Sequence, residues 1–145
     1  MKKDIYIIWI GGIWVSAIAR YYLAQWDSVY WDDISHSVLT NNLEKEWVIF
    51  CSLEEAYKKA DISKVLYTEA VPKDNHELIL ANEKWTTIMS YPEALWEIAN
   101  DKKLVAIAGT HGKSTTTSLT SLVLKNSNEN FVAVVWTILK EFNNK

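Results

Sequence analysis

The sequence predicts an α/β fold: a doubly wound parallel sheet in the first hundred residues, followed by the start of a second α/β unit. Three observations carry this. Short apolar runs of strand length alternate with helix-length segments through most of the 145 residues, the rhythm of βα units. The main runs are apolar at successive positions, as strands covered on both faces must be. A polar break, Asn100-Asp101-Lys102-Lys103, separates two such series.

The elements follow in order. Ile5–Ile10 carries no charge and reads as the first, buried strand; Ile13–Gln25 is a helix and Ser28–Trp31 the second strand. Val38–Glu46 reads as a helix, Val48–Phe50 as a short strand and Leu53–Lys59 as a short helix. Lys64–Tyr67 is strand-like, Asn75–Lys84 is a helix with Glu77 and Glu83 outward, Thr87–Met89 is a fifth strand, and Tyr91–Asn100 is a helix. Past the break, Leu104–Ala108 reads as a buried strand, Gly109–Thr115 as a loop, then a helix to about Lys125 and a strand at Phe131–Val135. Two strands and one helix cannot bury a sheet on both faces. The division is therefore a domain at 1–100 and a truncated one at 101–145, with more chain expected after Lys145.

Bulk composition excludes several classes. With 49% apolar residues a packed core forms, and a net charge of −3 without a basic stripe excludes a nucleic-acid partner. A single Cys51 excludes an internal disulfide framework and fits a reducing cytosol. Lys2 and Lys3 before the apolar stretch Ile5–Ala19 imitate a secretory signal, but Asp4 and the Gly11-Gly12 pair break the pattern. No stretch is long and apolar enough to span a bilayer, so a cytoplasmic location is expected. Scattered His36, His76 and His111 with one cysteine make no metal site.

The chemistry concentrates in Gly109-Thr110-His111-Gly112-Lys113-Ser114-Thr115, between the apolar run and the last helix. A strand, a glycine loop and a helix opening at lysine form a phosphate cradle. Free backbone N–H groups and the helix dipole favour an anion there. Lys113 can reach the β- and γ-phosphates, and Ser114 or Thr115 can offer a hydroxyl to Mg²⁺. ATP and Mg²⁺ are the cofactors this implies; the competing reading is a plain glycine turn with a solvated lysine. His111 contributes mainly its backbone amide. Thr116 and Thr117 read as capping hydroxyls of the helix N-terminus.

A second loop follows the first strand: Trp9-Ile10-Gly11-Gly12-Ile13-Trp14. With glycine for both tryptophans it would be a strand-to-helix nucleotide turn, with Asp33 past the second strand to meet a ribose hydroxyl. As written it conflicts with that role, because tryptophan at φ > 0 costs about 1–2 kcal/mol. Trp26, Trp47 and Trp85 likewise follow helices where a C′ glycine is expected. Trp31 and Trp136 stand at strand ends, and only Trp96, inside a helix, has no glycine rationale. The chain has eight tryptophans and four glycines, together close to the share, about 7%, that glycine ordinarily has alone. Most or all eight are therefore expected to be glycine in the native protein, as when a UGA codon read as glycine is translated as tryptophan. An aromatic-rich core or stacking surface is the alternative.

With that in mind the chain resembles the Mur ligases of peptidoglycan synthesis. The resemblance rests on Ile10-Gly11-Gly12-Ile13 with Ser16-Ala17-Ile18-Ala19-Arg20, on Asp33-Ile34-Ser35, on Ala70–Leu78 and, most closely, on Ala108–Thr117. It implies a Rossmann-like domain at 1–100 that binds a UDP-sugar, then the truncated start of a P-loop ATPase domain at 101–145. It implies ATP-driven activation of the lactyl carboxylate of UDP-N-acetylmuramate and attack by L-alanine, giving an amide. The implied sites are Lys113 as the catalytic cation, Gly109 to Thr115 around ATP, Ser114 and Thr115 on Mg²⁺, and Gly11, Gly12, Asp33 and Asn75 on the sugar nucleotide. A sibling ligase that attaches a recycled peptide is one alternative; an NAD-dependent oxidoreductase or a non-catalytic nucleotide-binding module is another. Because the family's further ligands would lie beyond Lys145, residues 1–145 alone are expected to form no detectable amide in an ATP-dependent ligation assay.

Overall fold

The computed structural model describes residues 2–10, 13–33, 41, 43, 45, 46, 48–100, 102–127 and 130–135. The chain divides into two compact units, Met1–Asp101 and Lys102–Lys145.

In the first unit the elements run β1 (Asp4–Ile8), α1 (Ile13–Ala24), β2 (Ser28–Asp32), β3 (Ile49–Phe50), α2 (Leu53–Lys59), β4 (Ile62–Tyr67), α3 (His76–Glu83), β5 (Thr87–Ser90) and α4 (Tyr91–Asn100). The strands form one sheet in the order β3-β2-β1-β4-β5, parallel throughout. Ile7 stands opposite Trp31 of β2 on one side and Leu66 of β4 on the other. Asn41, Leu43 and Lys45 are helical, and Leu43 is buried.

The aliphatic run explains the layering. Ile5, Tyr6, Ile7 and Ile8 of β1 are wholly buried. Strand side chains alternate between faces, so Ile5 and Ile7 pack with Val15, Ile18 and Tyr22 of α1 and Ala94 and Ile98 of α4. Tyr6 and Ile8 pack on the other face with Leu53 and Ala56 of α2 and Ala81 of α3. Each fully buried aliphatic side chain contributes about 1.5–3 kcal/mol, which makes helices on both faces the stable solution. Local signals set the helix starts. Ser52 Oγ accepts from Glu55 N at 3.3 Å to open α2, with Glu54 and Glu55 in its first turn and Lys58 and Lys59 in its last. Arg20 of α1 is held by Glu46 at 2.8 and 3.2 Å.

Within the first unit, boundaries differ from the expected ones by two residues in two places and by at most one residue elsewhere. β1 ends at Ile8, not Ile10, because Trp9 takes φ 57° and turns the chain out of the sheet. β4 begins at Ile62, two residues before the expected start, since Ile62 is buried and pairs with Asp4.

In the second unit α5 spans Lys113–Asn126. The expected strands at 104–108 and 131–135 are not strands: none of these residues joins a ladder among the described residues. A strand needs a neighbour, and an isolated pair is marginal in water; Leu104 and Val105 accordingly lie exposed. The expected helix at 38–46 falls partly, and Trp47 and Trp136 wholly, outside the described residues.

Cutting Ile7 to alanine is expected to lower stability by about 2–5 kcal/mol, while Ile79→Ala, on the exposed side of α3, changes it by about 0.5 kcal/mol or less. Urea unfolding of the two variants checks both.

Candidate functional site

In a sheet of order 3-2-1-4-5 the chain reverses its winding direction beside β1. The crevice outside the strand C-termini at that point is where such folds take ligands. Here it is a cavity of about 450 Å³ lined by Trp9 after β1, Asp33 after β2, Thr68, Glu69 and Ala70 after β4, and Tyr91. Asp33 therefore stands where the sequence expected an acidic residue. Gly11, Gly12, Ile34 and Ser35 lie outside the described residues. Another groove, of about 610 Å³, runs along β5 and α4 between Ile88, Met89 and Trp96 and shares Pro92 with the crevice.

Asn75 has a structural task. Its side-chain oxygen accepts from Glu77 N at 2.9 Å and Leu78 N at 3.2 Å, capping α3. Only its NH₂ group is left to offer a ligand.

Beside the crevice lies a polar cluster that the sequence reading missed. Glu77 was expected outward; it and Asp32, at the end of β2, both turn inward. Glu77 Oε1 accepts from Leu53 N at 2.9 Å and lies 2.7 Å from the Tyr6 hydroxyl, whose single proton also faces Cys51 O at 2.9 Å. Glu77 Oε2 is buried with no hydrogen-bond partner among the described residues. Asp32 Oδ1 accepts from Trp9 N at 3.4 Å, and its carboxyl lies in hydrogen-bond reach of Glu77. Burial pushes the Asp32 pKa up to about 7, helped by the Glu77 charge and opposed by the Trp9 N–H. Burial, then the Asp32 and Glu77 charges, also drive the Tyr6 phenol far up. A proton held on the Asp32 carboxyl fills the acceptor surplus. Glu77 reaches inward because it sits just after the Asn75 cap, where a side chain can fold back to the strand end. The available signal was Tyr6, a hydroxyl within a buried aliphatic run that needs a partner.

The Gly109–Thr115 loop forms the start of the second unit's helix. Gly112 is the N-cap of α5 at φ 75°, a left-handed position suited to glycine, and no side chain caps the helix. Gly109 takes φ 155°. Lys113 Nζ donates to Gly109 O at 2.5 Å and Thr110 O at 3.4 Å, folding the ammonium over the loop. His111 Nδ1 lies 3.2 Å from Thr110 Oγ1, exposed. The capping role expected of Thr117 is not what it does: its hydroxyl donates back to Lys113 O at 2.9 Å, the mid-helix habit of threonine. Thr116 donates its backbone N–H to Gly112 O. Ser114 and Thr115 occupy the first turn of α5.

Residues 4–103 match the family described as "Mur ligase family, catalytic domain". The chain belongs to the Mur ligase family. Its similarity to single members runs along nearly its whole length. It is 34% identical over 142 residues to the UDP-N-acetylmuramate–L-alanine ligase of Campylobacter jejuni, covering 98% of this chain and 32% of that protein. It is 36% identical over 140 residues to that of Lawsonia intracellularis, covering 97% and 31%. Among solved structures, the UDP-N-acetylmuramate-alanine ligase of Thermotoga maritima superposes with a TM-score of 0.74 at 29% identity, covering 86% of this chain and 29% of that one. A murein peptide ligase of Psychrobacter arcticus shares the fold, with a TM-score of 0.76 at 22% identity over 97% of this chain and 31% of that one. This Mur ligase chain spans about a third of the length of the curated relatives it matches. Among the described residues no helix is long and apolar enough to cross a membrane.

The carboxyl cluster makes a pH prediction. Because the folded-state pKa of Asp32 is raised from 3.8 to about 7, the stability tied to its proton is fully present below the lower value. It is lost as pH rises through the upper one. The urea midpoint should fall across that window, and Asp32→Asn, which cannot ionise, should flatten the fall relative to the parent chain.

Proposed function

We propose that this chain forms the sugar-nucleotide unit and the opening of the ATP-binding unit of a cytoplasmic, ATP-dependent ligase that joins L-alanine to UDP-N-acetylmuramate in peptidoglycan precursor synthesis. The observation that carries the reading is the similarity to UDP-N-acetylmuramate–L-alanine ligases over 98% of the chain, a span that includes both the crevice beside β1 and the Gly109–Thr115 loop.

The residues suit two binding tasks. In unit 1–100 the crevice takes the uridine diphosphate sugar, with Asp33 accepting from a ribose hydroxyl and Gly11 and Gly12 admitting the diphosphate. Asn75 offers its NH₂ group. In unit 101–145 the Gly109–Thr115 loop cradles the ATP phosphates. The lysine ammonium now resting on Gly109 O and Thr110 O exchanges those carbonyls for phosphate oxygens. The first turn of α5, which no side chain caps, turns backbone N–H groups toward the same anion. Ser114 and Thr115 supply hydroxyls suited to a hard cation; Mg²⁺ held there offsets phosphate charge.

The reaction proceeds by two displacements. A carboxylate oxygen of UDP-N-acetylmuramate attacks the γ-phosphorus of ATP, the bond to ADP breaks, and an acyl phosphate forms. The amine of L-alanine then attacks the acyl carbon, the C–O bond to phosphate breaks, and the amine proton passes to solvent. Lys113 and the loop amides stabilise the charge that builds on the transferring phosphoryl group.

The complete protein, assayed for phosphate release from ATP with UDP-N-acetylmuramate and L-alanine, should turn over only with all three present. Lys113→Ala should lower kcat by about 10²–10³-fold. Preference for a peptide over L-alanine would point to the peptide-attaching sibling reaction, and hydride transfer from a nicotinamide would overturn the ligase reading.

A further inference from the structure

Three described residues other than glycine hold a left-handed backbone, and all three are tryptophan: Trp9 at φ 57°, Trp26 at 66° and Trp85 at 56°. Two of them occupy the same position of the same motif. After α1, Trp26 N donates to Leu23 O at 3.0 Å and Asp27 N to Tyr22 O at 3.1 Å. After α3, Trp85 N donates to Asn82 O at 3.1 Å and Thr86 N to Ala81 O at 3.0 Å. Each is a complete Schellman closure with tryptophan at C′, the position that glycine fills because a Cβ is strained there. Neither indole offsets that strain by burial, since Trp26 is 85% and Trp85 94% exposed. The same closing bond, Val48 N to Leu43 O at 3.3 Å, follows the helical residues before position 47, which is also tryptophan in the sequence.

The other described tryptophans differ. Trp14 lies within α1, Trp31 lies in β2, fully buried and edge-on to Phe50 at 5.0 Å, and Trp96 lies within α4. None of these backbones calls for glycine, so the expectation that covered most or all eight narrows to the left-handed positions.

We infer that the protein made by its own cell carries glycine at positions 9, 26 and 85, a single codon being read there as glycine. One reassigned codon accounts for all three positions; independent substitutions would each have to land on a left-handed residue. At position 9 the exchange also matters to the crevice. The turn after β1 is already left-handed, so glycine fits without moving the backbone and removes the indole that lines the cavity.

The inference stands apart from the proposed function, and its test does not depend on activity. Mass spectrometry of peptides from the protein isolated from its source cells should show glycine at 9, 26 and 85; tryptophan there overturns the inference. In the chain as written, Trp26→Gly and Trp85→Gly should each raise the folding equilibrium constant by about 5–30-fold over the matching alanine variants. Inside α4, Trp96→Gly should be the less stable of its pair. Equal stability of glycine and alanine at 26 and 85 would contradict the strain argument and overturn the inference.

Discussion

The two-sided burial of β1 is the constraint from which the first unit follows. Four consecutive side chains, Ile5 to Ile8, have no exposed surface, and successive residues point to opposite faces. Both faces must therefore be covered, and the connections that return the chain in parallel carry α1 and α4 to one side and α2 and α3 to the other. With β1 at the centre and β2 and β4 on either flank, the loops leaving these strands converge at one edge. The crevice is a consequence of that convergence, and no separate device is needed to build it.

The same burial makes polar groups at that edge expensive. Tyr6 brings a hydroxyl into a core of isoleucines, and Glu77 and Asp32 come with it. Glu77 ties three elements through one oxygen or its neighbour: Tyr6 on β1, the start of α2 at Leu53, and the end of β2 at Asp32. A fully ionised pair of carboxylates in this setting is disfavoured by desolvation and by mutual repulsion. A proton on Asp32 resolves both costs, and it places a titrating group under the backbone of Trp9, at the mouth of the crevice.

Local pattern made the layered α/β fold legible, because burial on both faces leaves an unbroken apolar run at Ile5–Ile8 that no other element explains. The glycine loop before α5 was legible for a similar reason: Gly112 and Lys113 specify a backbone shape and a charge within a few residues. The tryptophans after α1 and α3 were legible as misfits because a helix C-terminus asks for glycine whatever surrounds it. What stayed hidden depends on contacts far apart in sequence. The inward turn of Glu77 is set by Tyr6, 71 positions away, and helical periodicity over eight residues of α3 cannot reveal it. The carboxylate neighbour of Asp32 likewise comes from another element, out of reach of any local pattern. Leu104–Ala108 has strand composition but no partner among the described residues, and composition cannot supply one. The sequence was silent on Asn75 as a cap because the same residue also suits a ligand.

The crevice beside β1 is the sugar-nucleotide site that we propose. Backbone amide NMR of the protein carrying Trp9→Gly, titrated with UDP-N-acetylmuramate, tests this directly. Shifts concentrated at Ile10, Asp33 and Thr68–Ala70, with none along Trp96–Asn100, are the predicted result. Shifts confined to the β5–α4 groove, or none at saturating ligand, would contradict it.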